Sequence, residues 1–544
     1  MFVKKSYSTK AKRQIPYYQL VQSYREGKKV KHRVLANLGP LSDAEIDQII
    51  RSLNRFKKNP YRLDDPRFKH KKQFAYGDAY LISVFWHRLN LTKIIQQLLG
   101  TAKVEFDVAV CAQLMVINRC VDPKSKLALH KWQHRIYFDG QKFFDYHQIL
   151  RALDHLERIR DQLEAILFQR QIDLFNQRVD LVFYDVTSTY FEGRGPGIAC
   201  KGHSRDGKPD KNQIILALAV TKGGLPIGHE VYEGNRKDST TVVEMVQRLK
   251  ERFKIDKCIF VGDRGMVSQD NIRELDRQGY EYIFALRKRR LLETRELIEE
   301  DLSKYRQTKI DESGQQVIKL YYLEVQKDNI RYVVCHNPQV ASEELDHLEK
   351  RLQKKEQEVK NILAGNQKPE AKIRRIARIY DINRYIRYGI RKGKVWYEPN
   401  QDSLTQERLV AGKYILKTSN FSLNTLELIE AYKNLSDIER AFRTIKSFVE
   451  IRPMNHRDEL RVRGHVFMCV LAYYIQKVID LELKKARCSY SAIEAIEEMG
   501  EIKLIESIFN GQQVYQSIEP NREHKIILKA CGVKCIPEAV FKEQ

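Results

Sequence analysis

VDLVFYDVTSTYF (179–191) is aromatic and β-branched almost throughout, and besides Asp180 at its start it carries one carboxylate, Asp185, inside the apolar run. That composition predicts a strand. QIILALAVT (213–221) and LPIGHEVYEG (225–234) repeat it, separated by the turn-rich GRGPGIACKGHSRDGKPDKN (193–212) and by Lys222-Gly223-Gly224. The period then changes. STTVVEMVQRLKERF (239–253) predicts a helix, KCIFVGD (257–263) a strand, QDNIRELDRQG (269–279) a helix and YEYIFALR (280–287) a strand. Three hairpin-connected strands followed by alternating helix and strand define an α/β class, a mixed sheet with flanking helices.

Working outward, residues 178–290 form the first part of this core. The sheet logic stops after Arg290, and 291–408 reads as an inserted domain with strand candidates KLYYLEVQ and RYVVCH and the charged helical segment SEELDHLEKRLQKKEQEVKNILAG. KYILKTS (413–419) resumes strand character and leads into TLELIEAYKNLSDIERAFRTIKSFVE (425–450), read as one long helix, so 409–487 is the second part of the core. Residues 41–177 are helical in period, and 488–544 form a C-terminal tail region. Residues 1–40 carry Lys4, Lys5, Lys10, Lys12, Arg13, Arg25, Lys28, Lys29, Lys31 and Arg33 against Glu26 and alternate around Arg25-Glu26-Gly27-Lys28, which predicts a basic two-stranded ribbon. A ribbon of this kind either enters a DNA groove or is a solvated hairpin. Lys124, Lys126, Lys131 and Arg135 read as a solvated helix surface, with phosphate contact as the other reading.

The chain has 544 residues, a formal charge of +25 and a hydrophobic share of 42%, so it is a folded basic protein whose partner is polyanionic. No apolar run approaches the ~18 residues that span a bilayer, and MFVKKSYSTK lacks the apolar stretch of a signal peptide. Nine scattered cysteines fit a reducing compartment. The expected location is cytoplasmic, in association with the nucleoid.

Asp185 projects from one strand, and Asp263, in IFVGDRG before Gly265, ends another. Either one alone reads equally well as a turn or capping aspartate. Together, from neighbouring strands, they invite a divalent cation, because buried carboxylates need compensation. Tyr432, Leu435, Glu439, Arg443 and Lys446 fall on one face of the expected helix. That face is either a salt-bridge ladder or a third carboxylate beside two cations. Two-metal phosphoryl transfer requires several such carboxylates, with Asp185, Asp263 and Glu439 as the ligands. Zinc is a poor competitor, since Cys531 and Cys535 have no matching pair nearby.

The order sheet-Asp, sheet-Asp, helix-Glu resembles the DDE transposases of bacterial insertion sequences. It is most similar to the subgroup whose last motif runs Tyr-x2-Arg-x3-Glu-x6-Lys, here Tyr432, Leu435, Glu439 and Lys446, with an insertion domain before the Glu. Leu435 stands where arginine is usual, and Arg440 or Arg443 is the candidate substitute. The resemblance implies a ribonuclease H-like core, Mg²⁺ (with Mn²⁺ as a substitute), and no small-molecule cofactor. It implies catalysis and metal binding by Asp185, Asp263 and Glu439. It implies DNA contacts from Tyr432, Arg440, Arg443, Lys446, Arg452, His456 and Arg461, and from the helical region 41–177. The expected partners are terminal inverted repeats and target DNA, with a homodimer assembled on the DNA and no membrane. The alternatives are a ribonuclease H-like nuclease that cuts without joining and a non-catalytic DNA-binding regulator. The loop residues His203, Arg205, Asp206 and Lys211 read either as approaching DNA or as local charge pairs.

Overall fold

The computed structural model describes all residues except 1, 9–14, 27–28, 59–67, 101–103, 176–179, 256–257, 264–265, 267, 287–295, 313–315, 510–511, 538 and 541–544. Lys10, Lys12, Arg13, Gly27, Lys28 and Gly265 therefore lie outside the described residues. Two compact units are present, one made of residues 1–73, 504–518 and 537–544, the other of 74–503 and 519–536.

The smaller unit opens with β1 (Phe2–Ser8), β2 (Ile15–Glu26) and β3 (Lys29–Gly39), an antiparallel sheet in that order. The expected ribbon thus gains a third strand, because FVKKSYS pairs along β2. Tyr18 and Val21 form its small core, while β3 is exposed along most of its length. Helix α1 (Asp43–Lys58) starts at Ser42, whose hydroxyl accepts from Glu45 N while the Glu45 carboxylate accepts from Ser42 N. The strand β4 (Phe68–Ala75) pairs with the C-terminal part of the chain.

The larger unit begins with α2 (Gly77–Arg88), α3 (Leu91–Leu99), α4 (Val108–Val121), α5 (Lys126–Trp132) and the 30-residue α6 (Tyr146–Phe175). α4 is apolar nearly all round and is buried accordingly. Lys126, expected at the surface, is instead only 4% exposed: it opens α5, whose cap Ser125 accepts from Ala128 N, and its side chain runs inward.

The central sheet contains β5 (Leu181–Tyr190), β6 (Gln213–Thr221), β7 (Pro226–Glu233), then α7 (Val242–Glu251), β8 (Ile259–Gly262), α8 (Gln269–Gln278) and β9 (Glu281–Ala285). β5, β6 and β7 are antiparallel neighbours, whereas β8 lies parallel beside β5 and β9 parallel beside β8. All nine residues of β6 are buried, as expected of a continuous apolar run covered on both faces. β10 (Arg306–Glu312), β11 (Gln316–Lys327) and β12 (Ile330–His336) belong to this same sheet, whose order is β10-β11-β12-β15-β9-β8-β5-β6-β7. The region read as one insertion is therefore divided. Tyr332–Cys335 are all buried, a run that can be satisfied only inside a sheet, and they pair with the strand after the insertion. What remains is α9 (Pro338–Leu363), α10 (Pro369–Ile376), α11 (Ile382–Tyr385), the hairpin β13 (Ile386–Arg391) and β14 (Lys394–Pro399), and α12 (Gln401–Val410), with a core of its own around Val359, Ile376, Tyr385 and Leu404.

β15 (Lys413–Thr418) is followed by α13 (Thr425–Lys433) and α14 (Ser436–Ser447). The expected single helix breaks at Asn434-Leu435, where Asn434 ends α13 and Leu435 turns its side chain into the core. The chain closes with the largely buried α15 (Glu459–Lys485), α16 (Ala492–Met499), the strands β16 (Lys503–Phe509) and β17 (Gln512–Ser517), α17 (Arg522–Ala530) and β18 (Ala539–Val540). The tail region is thus structured, with β18, β17, β16 and β4 forming a four-stranded sheet. Among the described residues no helix is long and apolar enough to cross a membrane, and all nine cysteines are free.

Candidate active site

Tyr184 pairs with Gly262 in the parallel register of β5 and β8, so the residues that follow, Asp185 within β5 and Asp263 just past the end of β8, lie at the same level. Adjacent strands lie about 4.8 Å apart. Tyr184 and Val186 join the apolar cluster under α7 and α8, and by alternation Asp185 lies on the other face. Burial pushes the Asp185 carboxyl up to about 7; the Val186 N–H and Arg205 pull against it, and the negative charges of Asp263 and Asp238 push it further. Val186 N donates to Asp185 Oδ1 at 2.7 Å. Asp238, in a short helical turn after β7, pairs with Arg205. In the sequence Asp238 falls in the Gly234-Asn235…Asp238 stretch that the resemblance covers but has no role assigned there, since Asp-Ser-Thr-Thr before an amphipathic helix looks like an ordinary cap.

Glu439 comes from α14, which packs against β5 and β6 through Ile438, Ala441, Phe442 and Ile445. Its carboxylate is exposed and makes no hydrogen bond or ion pair among the described residues. Both ends of this helix are pinned. Asp437 accepts from Gly223 N in the β6–β7 turn at 3.0 Å, and Lys446 Nζ donates to Asp206 at 2.7 Å.

The residues expected to meet DNA mostly have internal partners. The Tyr432 ring stacks on Tyr414 at 5.9 Å between centroids, Arg440 pairs with Asp437, and Arg452 joins Lys446 on Asp206. Arg461 bonds Asp154 at 3.3 Å. The His456 ring lies 5.3 Å from His465, and burial, with Lys126 and Arg119 nearby, lowers its imidazole to about 4. Arg443 is exposed and has no ion-pair partner among the described residues.

Only one group of three metal-ligating side chains among the described residues has all its ligand atoms within 4.8 Å of one another, Glu498, Glu501 and His524, and that spacing suits a divalent cation. His524 Nδ1 accepts from Asn521 N at 3.1 Å, which leaves the ring proton on Nε2, facing Glu498 O at 3.0 Å. The carboxylates of Asp185, Asp263 and Glu439 are spaced more widely than that.

Residues 180–475 match the family model of the transposase DDE domain, and the chain belongs to that family. Residues 3–65 match a second model, the N-terminal domain of IS1634 family transposases. No curated protein sequence matches the chain. Among solved structures, the piggyBac transposase in a synaptic complex with hairpin DNA aligns at 10% identity over 78% of this chain and 79% of that one, with a TM-score of 0.36. The Mos1 transposase in a paired-end complex with a left transposon end aligns at 16% identity over 44% and 66%, with a TM-score of 0.15.

Proposed function

We propose that this protein is a DNA transposase that binds the terminal inverted repeats of an insertion sequence, cleaves them and transfers the freed strands to target DNA. The observation that carries this reading is the pair Asp185, in the middle of β5, and Asp263, just past the end of the parallel β8, at the same level and within the residues that match the DDE domain. The strand order β7-β6-β5-β8-β9, antiparallel then parallel, supports a ribonuclease H-like core. An all-oxygen donor set fits Mg²⁺ or Mn²⁺. Asp185, Asp263 and Glu439 would hold such ions, with Asp238 close by. When bound, the ions supply an activated attacking oxygen and stabilisation of the leaving oxygen. Asp185 contributes a carboxylate whose proton affinity is raised by burial, with Asp263 and Asp238 adding to it. Glu439 contributes an unpaired carboxylate on a helix held at both ends, and Arg443 contributes an exposed cation one turn further along. DNA contacts from Tyr432, Arg440, His456 and Arg461 and assembly as a homodimer on two ends belong to the same reading, as does a cytoplasmic, nucleoid-associated location, while Lys446 and Arg452 are held by Asp206.

The test is incubation of terminal-repeat duplexes with Mg²⁺ and the purified chain. Asp185→Asn, Asp263→Asn and Glu439→Gln are each expected to lower cleavage by about 100-fold or more while DNA is still bound. Full cleavage by all three variants rejects the reading. Cleavage without joining of pre-cut ends indicates a nuclease, and binding without cleavage by the wild type indicates a regulator.

A further inference from the structure

The loop between β5 and β6 contains two consecutive residues with opposite charges and opposite partners. Arg205 is held to β5 by its main-chain N–H, which donates to Ser188 Oγ at 2.8 Å, and its guanidinium pairs with Asp238 and offsets the charge of Asp185. Asp206 faces the other way. Its side chain is 2% exposed, and Oδ1 receives both Lys446 Nζ at 2.7 Å and the Arg452 guanidinium. Lys446 lies in the last turn of α14, the helix that carries Glu439, and Arg452 lies in the segment just beyond it. That segment is itself tied to β5, since Glu192 N donates to Met454 O at 2.9 Å and Met454 N to Tyr190 O at 3.2 Å.

The loop has little freedom to move. A Cβ on Gly202 would come within 2.1 Å of Gly234 O, and Gln213 Nε2 donates to both His203 O, at 3.1 Å, and Gly234 O, at 2.8 Å. The cation it holds on α14 is withdrawn from solvent. The Lys446 side chain is 12% exposed, and a phosphate reaching it would take from a buried carboxylate one of its two cations, a costly exchange. A merely solvated turn would not send its acid inward to two cations more than 200 residues away.

We propose that Arg205-Asp206 is a positioning element, in which Arg205 fixes Asp238 beside Asp185 and Asp206 fixes the Lys446 end of the Glu439 helix, so that one dipeptide sets the separation between the two core aspartates and Glu439. The inference rests on the proposed function in taking these carboxylates as the reacting centre. It assigns Asp206 no contact with DNA or metal.

The experiment is single-turnover cleavage of terminal-repeat DNA by the full chain, with DNA titrated. Asp206→Asn is expected to reduce the rate at saturating DNA by about 100-fold, as a misplacement of about 1 Å does, while changing the half-saturating DNA concentration by less than about threefold. Asp206→Glu, which keeps the charge, is expected to recover to within about tenfold of wild type. An unchanged rate in Asp206→Asn overturns the proposal, although wild-type cleavage would still uphold the proposed function. A loss confined to the half-saturating concentration also overturns it, marking Lys446 and Arg452 as simple phosphate contacts. If Asp206→Asn does not fold, Arg205→Gln carries the same expectation and the same overturning results. If the wild type cleaves nothing, amide hydrogen exchange decides. Faster exchange in Asp206→Asn at both the end of β5 and the end of α14 supports the clamp, and faster exchange confined to residues 200–212 overturns it.

Discussion

Lys126 and Asp206 are both buried charges, and they differ in whether the fold supplies a counter-charge. Asp206 has two cations. Among the described residues Lys126 Nζ has no hydrogen-bond partner, and it shares its surroundings with Arg119, His465 and His456 and with the thiols of Cys111 and Cys469. Burial, reinforced by Arg119, lowers its ammonium from the ordinary 10.5 to about 7. Replacing it with a residue of similar length and no charge, Lys126→Met, is expected to stabilise the chain by about 1–3 kcal/mol. The sign with pH follows from proton counting. The unfolded chain binds more protons at this group between about pH 7 and 10.5, so the penalty is full below 7 and fades as the pH rises. Urea unfolding should therefore show a larger gain for Lys126→Met at pH 6 than at pH 9; equal gains would mean that the ammonium is not the cause. Nothing in SKLALHKW distinguishes an inward lysine from an outward one, since a lysine in the first turn of a short helix is usually solvated. Asp185 was legible for the opposite reason: a single acid in an apolar strand conflicts with its setting, and such conflicts mark functional sites.

Among the elements, α6 is joined to β7 and α7 by a buried charge network. Glu164 accepts from Arg252 and lies 2.5 Å from His229 Nδ1, while Arg160 bonds His229 O at 3.0 Å and approaches Glu230 at 3.5 Å. Burial alone would raise the Glu164 carboxyl, but His229 and Arg252 more than offset it and hold it at about 2, below the ordinary 4.5. Its stabilisation is complete above pH 4.5 and is lost as the pH falls toward 2. Glu164→Gln is expected to cost about 3–5 kcal/mol at pH 7, because it leaves cations buried without their acid, and to move acid unfolding to a higher pH. Circular dichroism across pH 2–7 checks this; an unchanged acid midpoint would falsify the role. Periodicity predicted α6 well, yet it could not reveal the network, which needs β7 beside the helix. The break between α13 and α14 was equally hidden. The pattern from Thr425 to Glu450 is continuous in helical period, and only packing turns Leu435 inward and gives Asp437 the Gly223 N–H to hold.

At the scale of the whole molecule, the charge of +25 is unevenly spent. Arg440, Lys446, Arg452 and Arg461 are neutralised within the larger unit by Asp437, Asp206 and Asp154. The exposed strand β3 presents Lys29 and Arg33 on the smaller unit. Binding of terminal DNA should weaken steeply with salt, and Lys29→Gln combined with Arg33→Gln should reduce the slope of log affinity against log salt by about 2. An unchanged slope in a fluorescence-anisotropy titration places the phosphate contacts elsewhere. The sequence by itself determined the α/β class, the succession of the strands β5 to β9 along the chain, the two aspartates set in or just after apolar strands, and the helical character around Glu439. Each of these rests on local periodicity or on a charge placed in an apolar run. Only the tertiary structure decided that β10, β11 and β12 extend the central sheet, that Asp238 and Arg205 stand beside Asp185, and that Lys446 and Arg452 are claimed by Asp206. Those outcomes depend on which distant segments meet, and pairings hundreds of residues apart leave no period in the sequence.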